Sequence, residues 1–256
     1  MKKLITLFGL ILLCMFATAQ ENVEYMYIHR NNNIVDSVAV NEIDSVTFAI
    51  PNAVLPDAPE TPSQTYEAVD LGLPSGIKWA TCNVGAIAPE EYGCYYAWGE
   101  TEEKSNYEWS TYVHCNGSNS TMTKYCNKSN WGTVDENEVL APEDDAAHVN
   151  WGGGWRMPKK EEQDELRNNC TWEWTSVNGV NGYKVTGTNG NSIFLPAAGY
   201  RVGKDISEKG KNGYYWSNTM FATLCYNAYA LRFNNGTIAW VSRLRYYGQP
   251  VRPVCE

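Results

Sequence analysis

The chain from Tyr66 onward is predicted to be an α+β domain of short strands with two short helices, and three observations predict it. Short apolar pieces, among them IKWATCNVG, YYAWGE, GYKVTG, SIFLPAAGYR, GYYWSNT, NAYALRF and IAWVSR, are separated by Gly- and Asn-rich turn chemistry, as short strands are. Two other segments, PEDDAAHVNW and MPKKEEQDELRNNC, open on proline and gather carboxylates in the first turn, where the positive end of a helix favours them. Ahead of all this, residues 51–65 hold Pro51, Pro56, Pro59 and Pro62 in a polar setting, an extended linker that marks a domain boundary.

The elements follow in order. Residues 1–19 join Lys2 and Lys3 to an apolar run from Leu4 to Phe16 and end on Ala17 and Ala19, the pattern of a secretory signal cut after Ala19. The apolar run is shorter than the roughly 20 residues that span a bilayer, and the polar chain beyond it offers no second candidate. Export without membrane insertion is therefore expected, with a bacterial surface or the medium as destination. Residues 20–50 read as a small antiparallel β unit, with strands at Tyr25 to Arg30, Ile34 to Val40 and Ser45 to Ile50 and a turn at Asn31-Asn32-Asn33. Such a short sheet is marginal alone. In the main domain, Pro142 is expected to open the first helix, with Glu143, Asp144 and Asp145 in its first turn. Pro158 opens the second, with Glu161, Glu162 and Glu165 early and Arg167 near its end. Between them WGGGWRMP reads as a corner of the fold. Its glycines let the chain reverse, Trp155 packs beneath, and Arg156 is left to bond carbonyls or a nearby carboxylate.

Charge and cysteine narrow the function classes. A net charge of −9, more negative once Lys2 and Lys3 leave with the signal, opposes binding to nucleic acid or anionic membranes, which need basic stripes. Of eight cysteines, Cys14 leaves with the signal and an odd set remains, so at least one thiol cannot pair within the chain. Cys115 and Cys126, separated by a polar loop, are the nearest pair and the expected disulfide. No CxxC spacing occurs and His29, His114 and His148 are scattered, which argues against structural zinc.

The strings GLPSGIKWATCNVG, YYAWGE, APEDDAAHVNWGGGWRMPKKEE, GYKVTG, SIFLPAAGYR, GYYWSNT and the closing VRPV resemble the Fibrobacter succinogenes major paralogous domain family, in family order over about Tyr66 to Cys255. The resemblance implies a C-type-lectin-like fold for residues 66–256 and, the family being largely uncharacterised, no reaction. WRMPKKEEQDEL is also similar to the helix start of formylglycine-generating enzymes. Those enzymes bind copper through a C-terminal cysteine pair a few residues apart, whereas here Cys225 and Cys255 stand 30 positions apart. No catalytic residue is expected.

Candidate sites are therefore binding sites. Ten tryptophans and seventeen tyrosines exceed what one core of this size needs, and aromatic faces flanked by Asn and Asp grip sugar rings or partner proteins. The candidates are Trp98, Trp109, Trp131, Trp216, Trp240 and Tyr246. Asn218 joins them because Trp216-Ser217-Asn218 is similar to the WND string of calcium-dependent lectins. That string's carboxylate is missing here, and so is its EPN partner. Glu143-Asp144-Asp145 is the densest carboxylate supply, but adjacent residues of a helix point apart, so no metal or other cofactor is expected. The leading expectation is a non-catalytic binding module for a glycan or surface protein. The alternatives are a structural component of a surface assembly and, least favoured, an oxidase of the formylglycine-generating kind.

Overall fold

The computed structural model describes residues 25–30, 33–39 and 66–256. The signal, the linker and the strand expected at Ser45 to Ile50 lie outside the described residues. The chain divides into two compact units between Pro62 and Ser63. In the first, β1 (Tyr25–Arg30) pairs antiparallel with β2 (Asn33–Ala39), with a register shift between Ile28 and His29.

The second unit is built of small antiparallel sheets with few helices, an α+β arrangement. Its strands are β3 (Ala68–Asp70), β4 (Lys78–Ala80), β5 (Thr171–Val177), β6 (Val180–Thr186), β7 (Ser192–Pro196), β8 (Tyr200–Val202), β9 (Asp205–Ser207), β10 (Asn212–Met220), β11 (Asn227–Asn234), β12 (Thr237–Leu244) and β13 (Val254–Cys255). They form the sheets β13-β4-β3, β5-β6-β7, β8-β9 and β10-β11-β12. The last strand thus pairs with the second strand of the unit, Val254 opposite Trp79, so the C-terminal end is tied to the N-terminal end. The β5–β6 hairpin turns on Asn178-Gly179, both at positive φ (48° and 81°), the backbone that a two-residue turn needs to match strand twist.

The helices are α1 (Ala146–Trp151) and α2 (Lys160–Asn169). The first begins later than its proline predicts. Residues Pro142–Asp144 form a separate 3-10 turn, and Asp145 is the cap of α1. Of three consecutive carboxylates only one can aim at the free N–H groups of a helix start, and Asp145 accepts from Ala147 N at 2.9 Å and His148 N at 3.1 Å. It also accepts from Met157 N at 2.8 Å, which binds the start of α1 to the chain beyond the glycines. Those glycines do reverse the chain, Gly152 and Gly153 at φ 66° and 57°. Arg156 then closes a two-armed bridge to Glu162 at 2.8 and 2.6 Å, while its backbone pairs with Val254. Trp155 is half-buried at this corner, edge-on to Trp151, whose ring also stacks parallel on Tyr66 at 3.7 Å.

Strand alternation divides the core in two. Trp216, Ala228 and Ala230 face one cluster with Trp98, Tyr112 and Tyr125, and Tyr215, Leu231 and Phe233 face the other with Trp79, Val185 and Leu195. The sheet β10-β11-β12 is therefore covered on both sides. Two arginines are fully buried. Arg252 reaches Asn83 Oδ1 at 2.8 Å, Ala80 O at 3.0 Å, Thr81 O at 2.7 Å and Phe194 O at 2.9 Å. Arg245 reaches Tyr112 Oη and Cys225 O, each at 2.8 Å. Neither forms an ion pair among the described residues, so peptide dipoles carry the charge.

The disulfide expectation is corrected. Cys126 lies at disulfide-bonding distance from Cys225, with their Cα atoms 5.1 Å apart at a sequence separation of 99. Cys115 is unpaired. Its backbone bridges to Met122, and its thiol donates to Trp109 O at 3.3 Å, so the loop that made it Cys126's nearest neighbour in sequence is closed without a bond between them.

Candidate functional site

The sequence-selected aromatic residues separate by burial. Trp98 and Trp216 are 0 % exposed, each with its indole N–H on a carbonyl, Ser217 O and Tyr96 O respectively, at 2.8 Å. Both are core, and neither can touch a ligand. Asn218 is 4 % exposed and its side-chain Oδ1 accepts from the Thr219 hydroxyl at 3.2 Å, while its main chain pairs with Pro158 O and Leu140 N, so it too is removed from the ligand surface. Trp240 is half-buried, but on the face of the sheet that meets α2. Its N–H donates to Asp164, and Lys160 sits 5.0 Å from its ring centre. That closes it as a ligand wall. Of the seven candidates, Trp109, Trp131 and Tyr246 remain half-buried within a run of other accessible rings.

That run crosses the opposite side of β10-β11-β12. Trp131 lies edge-on to Tyr226 at 4.7 Å, Trp109 to Tyr246 at 4.8 Å, Tyr246 to Tyr247 at 4.7 Å, and Tyr200 to Tyr214 at 5.2 Å; Tyr200 and Tyr247 are tilted at 5.2 Å. All but Tyr214 are half-buried. Their positions come from unlike elements: Trp109 from the 3-10 turn Trp109–Thr111, Tyr200 from β8, Tyr214 from β10, and Tyr246 and Tyr247 from the segment after β12. Burial pushes the Tyr246 hydroxyl up to about 12, and burial with the Glu208 carboxylate raises that of Tyr214, so both stay protonated donors. Arg243, on β12, enters the run with its guanidinium 4.3 Å from the Tyr200 ring centre and 4.6 Å from those of Tyr214 and Tyr247. Arg232 lies 5.9 Å from the Tyr214 ring on the adjacent strand. Sequence reading missed both arginines. The available signal was the alternation in IAWVSRL, which sets Arg243 on the same side as Ala239 and Val241.

Two clefts lie elsewhere. One, of about 420 Å³, is lined by Thr81, Pro89, Val177, Ile193 and Phe194, with Lys184 at its side. The other, of about 340 Å³, is lined by Glu100, Glu102, Glu103, Glu143, Asp144 and His114. Its carboxylates are largely engaged: Glu100 with Lys104 at 2.7 Å, and Asp144 with Lys124 and Tyr125. Burial lowers the His114 pKa, leaving a neutral ring whose Nε2 meets Gly99 O at 2.8 Å. Among the described residues, no group of three or more His, Cys, Asp or Glu is placed to hold a metal ion. Burial also pushes the Cys82, Cys94, Cys115 and Cys255 thiols up, and Cys170 up to about 11, the opposite of the lowered pKa that activates a nucleophilic cysteine.

The site with accessible aromatic area and polar groups together is therefore the Trp109-to-Tyr214 run with Arg243. Comparison of the chain with protein-family models, with curated proteins and with solved structures found no match.

Proposed function

We propose that the chain is an exported bacterial binding module, held at the cell surface or secreted, that takes a glycan or surface-protein partner without catalysis. In this reading residues 1–19 are removed as a signal, residues 20–50 form a small adaptor unit, residues 51–65 are a linker, and residues 66–256 are a C-type-lectin-like domain. The order of the sequence strings and the arrangement of short strands with two helices support the last assignment. The observation that carries the binding reading is the run of half-buried rings through Trp109, Tyr246, Tyr247 and Tyr200. Such rings offer flat apolar area and hydroxyl donors to a sugar face. Against an oxidase, Cys225 is committed to Cys126, and the buried thiols are poor nucleophiles.

A glycan array probed with the purified full chain tests the reading. Binding that falls at least tenfold in Tyr246→Ala or Trp109→Ala supports it. Binding unaffected by either change, or no binding together with copper-dependent oxidase activity, rejects it. Mass analysis of the exported protein should find Gln20 at its start.

A further inference from the structure

We infer that the ligand received by this face carries a carboxylate on a sugar ring, and that Arg243 takes it. The inference rests on the binding reading above and narrows it to acidic saccharides. Arg243 stands opposite Ala228 in the β11–β12 register, where the small neighbour leaves room beside its side chain. Tyr200, Tyr214 and Tyr247 surround the guanidinium at 4.3, 4.6 and 4.6 Å. Rings at these distances stabilise the cation through its flat faces. They do nothing for the N–H groups, which lie in the guanidinium plane and need an oxygen at its edge. The Nε and Nη2 of Arg243 have no hydrogen-bond partner among the described residues. These two donors form the parallel fork that takes both oxygens of a carboxylate.

The contrast within this chain is informative. Arg245 and Arg252 are more deeply buried, yet each fills its fork with carbonyl, hydroxyl or amide oxygens, whereas Arg243 has only rings. Leaving a charged donor covered and without an acceptor costs stability, so an acceptor supplied by a ligand returns it. The Nε of Arg232, whose guanidinium lies 5.9 Å from the Tyr214 ring, also lacks a partner, which adds positive potential around that ring. The carboxylate of Glu208 at this end is taken up by the Tyr214 hydroxyl at 2.6 Å. Tyr247 and Tyr200 are only half-buried, so either ring can turn aside to admit an anion to the covered edge of Arg243. A sugar rather than a peptide fits because Tyr247, beside the guanidinium, continues edge-on through Tyr246 to Trp109, a series of half-buried rings of the kind that receives a pyranose.

The test is calorimetric titration of the full chain, in EDTA, with oligogalacturonate, with the same oligosaccharide as its neutral methyl ester, and with a polyglutamate peptide. The acid should bind at least tenfold more tightly than the ester. Arg243→Met should remove that difference, and Arg243→Lys should recover little of it because a lysine cannot offer a fork. The acid-to-ester ratio is read on the unmodified protein, so it holds even if a variant folds poorly. Equal binding of acid and ester overturns the carboxylate assignment but leaves the glycan reading standing. Binding of the peptide alone overturns the saccharide assignment, and binding of none of the three overturns this inference, with the glycan array then deciding the broader reading.

Discussion

The Arg245 guanidinium lies 4.6 Å from the Trp98 ring centre while its nitrogens hold the carbonyl oxygens of Cys225, Tyr125 and Lys124. One side chain thereby joins the turn after β10 to the loop that carries Lys124, Tyr125 and Cys126. Replacing it with methionine keeps the volume but strands several buried carbonyls and the Tyr112 hydroxyl. Arg245→Met is expected to cost about 3 kcal/mol, the scale of leaving buried polar groups unsatisfied. Chemical denaturation of the variant measures this, and a loss under about 1 kcal/mol would mean that water replaces the arginine freely.

The Cys126–Cys225 pair closes a loop of 99 residues between the same two regions. A cross-link of that span is worth about 4.7 kcal/mol through the entropy it removes from the unfolded chain. Cys225→Ala should lower stability by that order, and Cys115→Ala should change it little. Peptide mapping under non-reducing conditions should recover the 126–225 linkage, and recovery of a 115–126 peptide instead would reject the pairing.

Glu162 gives the fold an acid limit. Burial pushes its carboxyl up, but the Arg156 fork and the Lys159 N–H outweigh this and hold it below the ordinary glutamate range. A depressed pKa adds stability that is fully present above the unfolded value and is lost as pH falls through the folded one. Stability should therefore decline below about pH 4.5, the ordinary glutamate value. Glu162→Gln should be less stable at neutral pH and show a flatter acid limb. Parallel curves for the two proteins would show that other carboxylates set the limit.

Residues 66–256 should fold without the preceding segment. Both core clusters lie within them, and the pairing of β13 and β3 with β4 secures both ends of the unit. Expressed alone, this piece is expected to melt cooperatively by calorimetry. A molten or insoluble product would mean that residues before Tyr66 complete the core.

Local chemistry was legible, and long-range partnership was not. Tyr25 to Arg30 reads as a strand and forms β1, and Pro158 with its following carboxylates announces α2, because these signals act within a turn or two of the chain. Glu143, Asp144 and Asp145 are equivalent as letters. Only the fold decides that Asp145 caps α1 while Asp144 turns to Lys124. Trp98 and Trp216 stand near Gly and Asn like surface aromatics, yet, 118 positions apart in sequence, each bonds a carbonyl beside the other, Ser217 O and Tyr96 O. Tyr246 follows a strand whose alternation is plain, and it is half-buried. Its neighbours Tyr200 and Tyr214 come from elsewhere in the chain, so no spacing rule gathers them around Arg243.

The order β13-β4-β3 also has a mechanical meaning. Ala68, at the start of β3, lies beside Ala80, and Cys255, at the end of β13, lies beside Lys78, so the outward directions of the two chain ends oppose each other along β4. Tension applied through those ends drags β3 and β13 lengthwise past β4 and loads their ladder bonds together, instead of peeling them apart one at a time. A unit loaded through these two ends therefore resists pulling in shear.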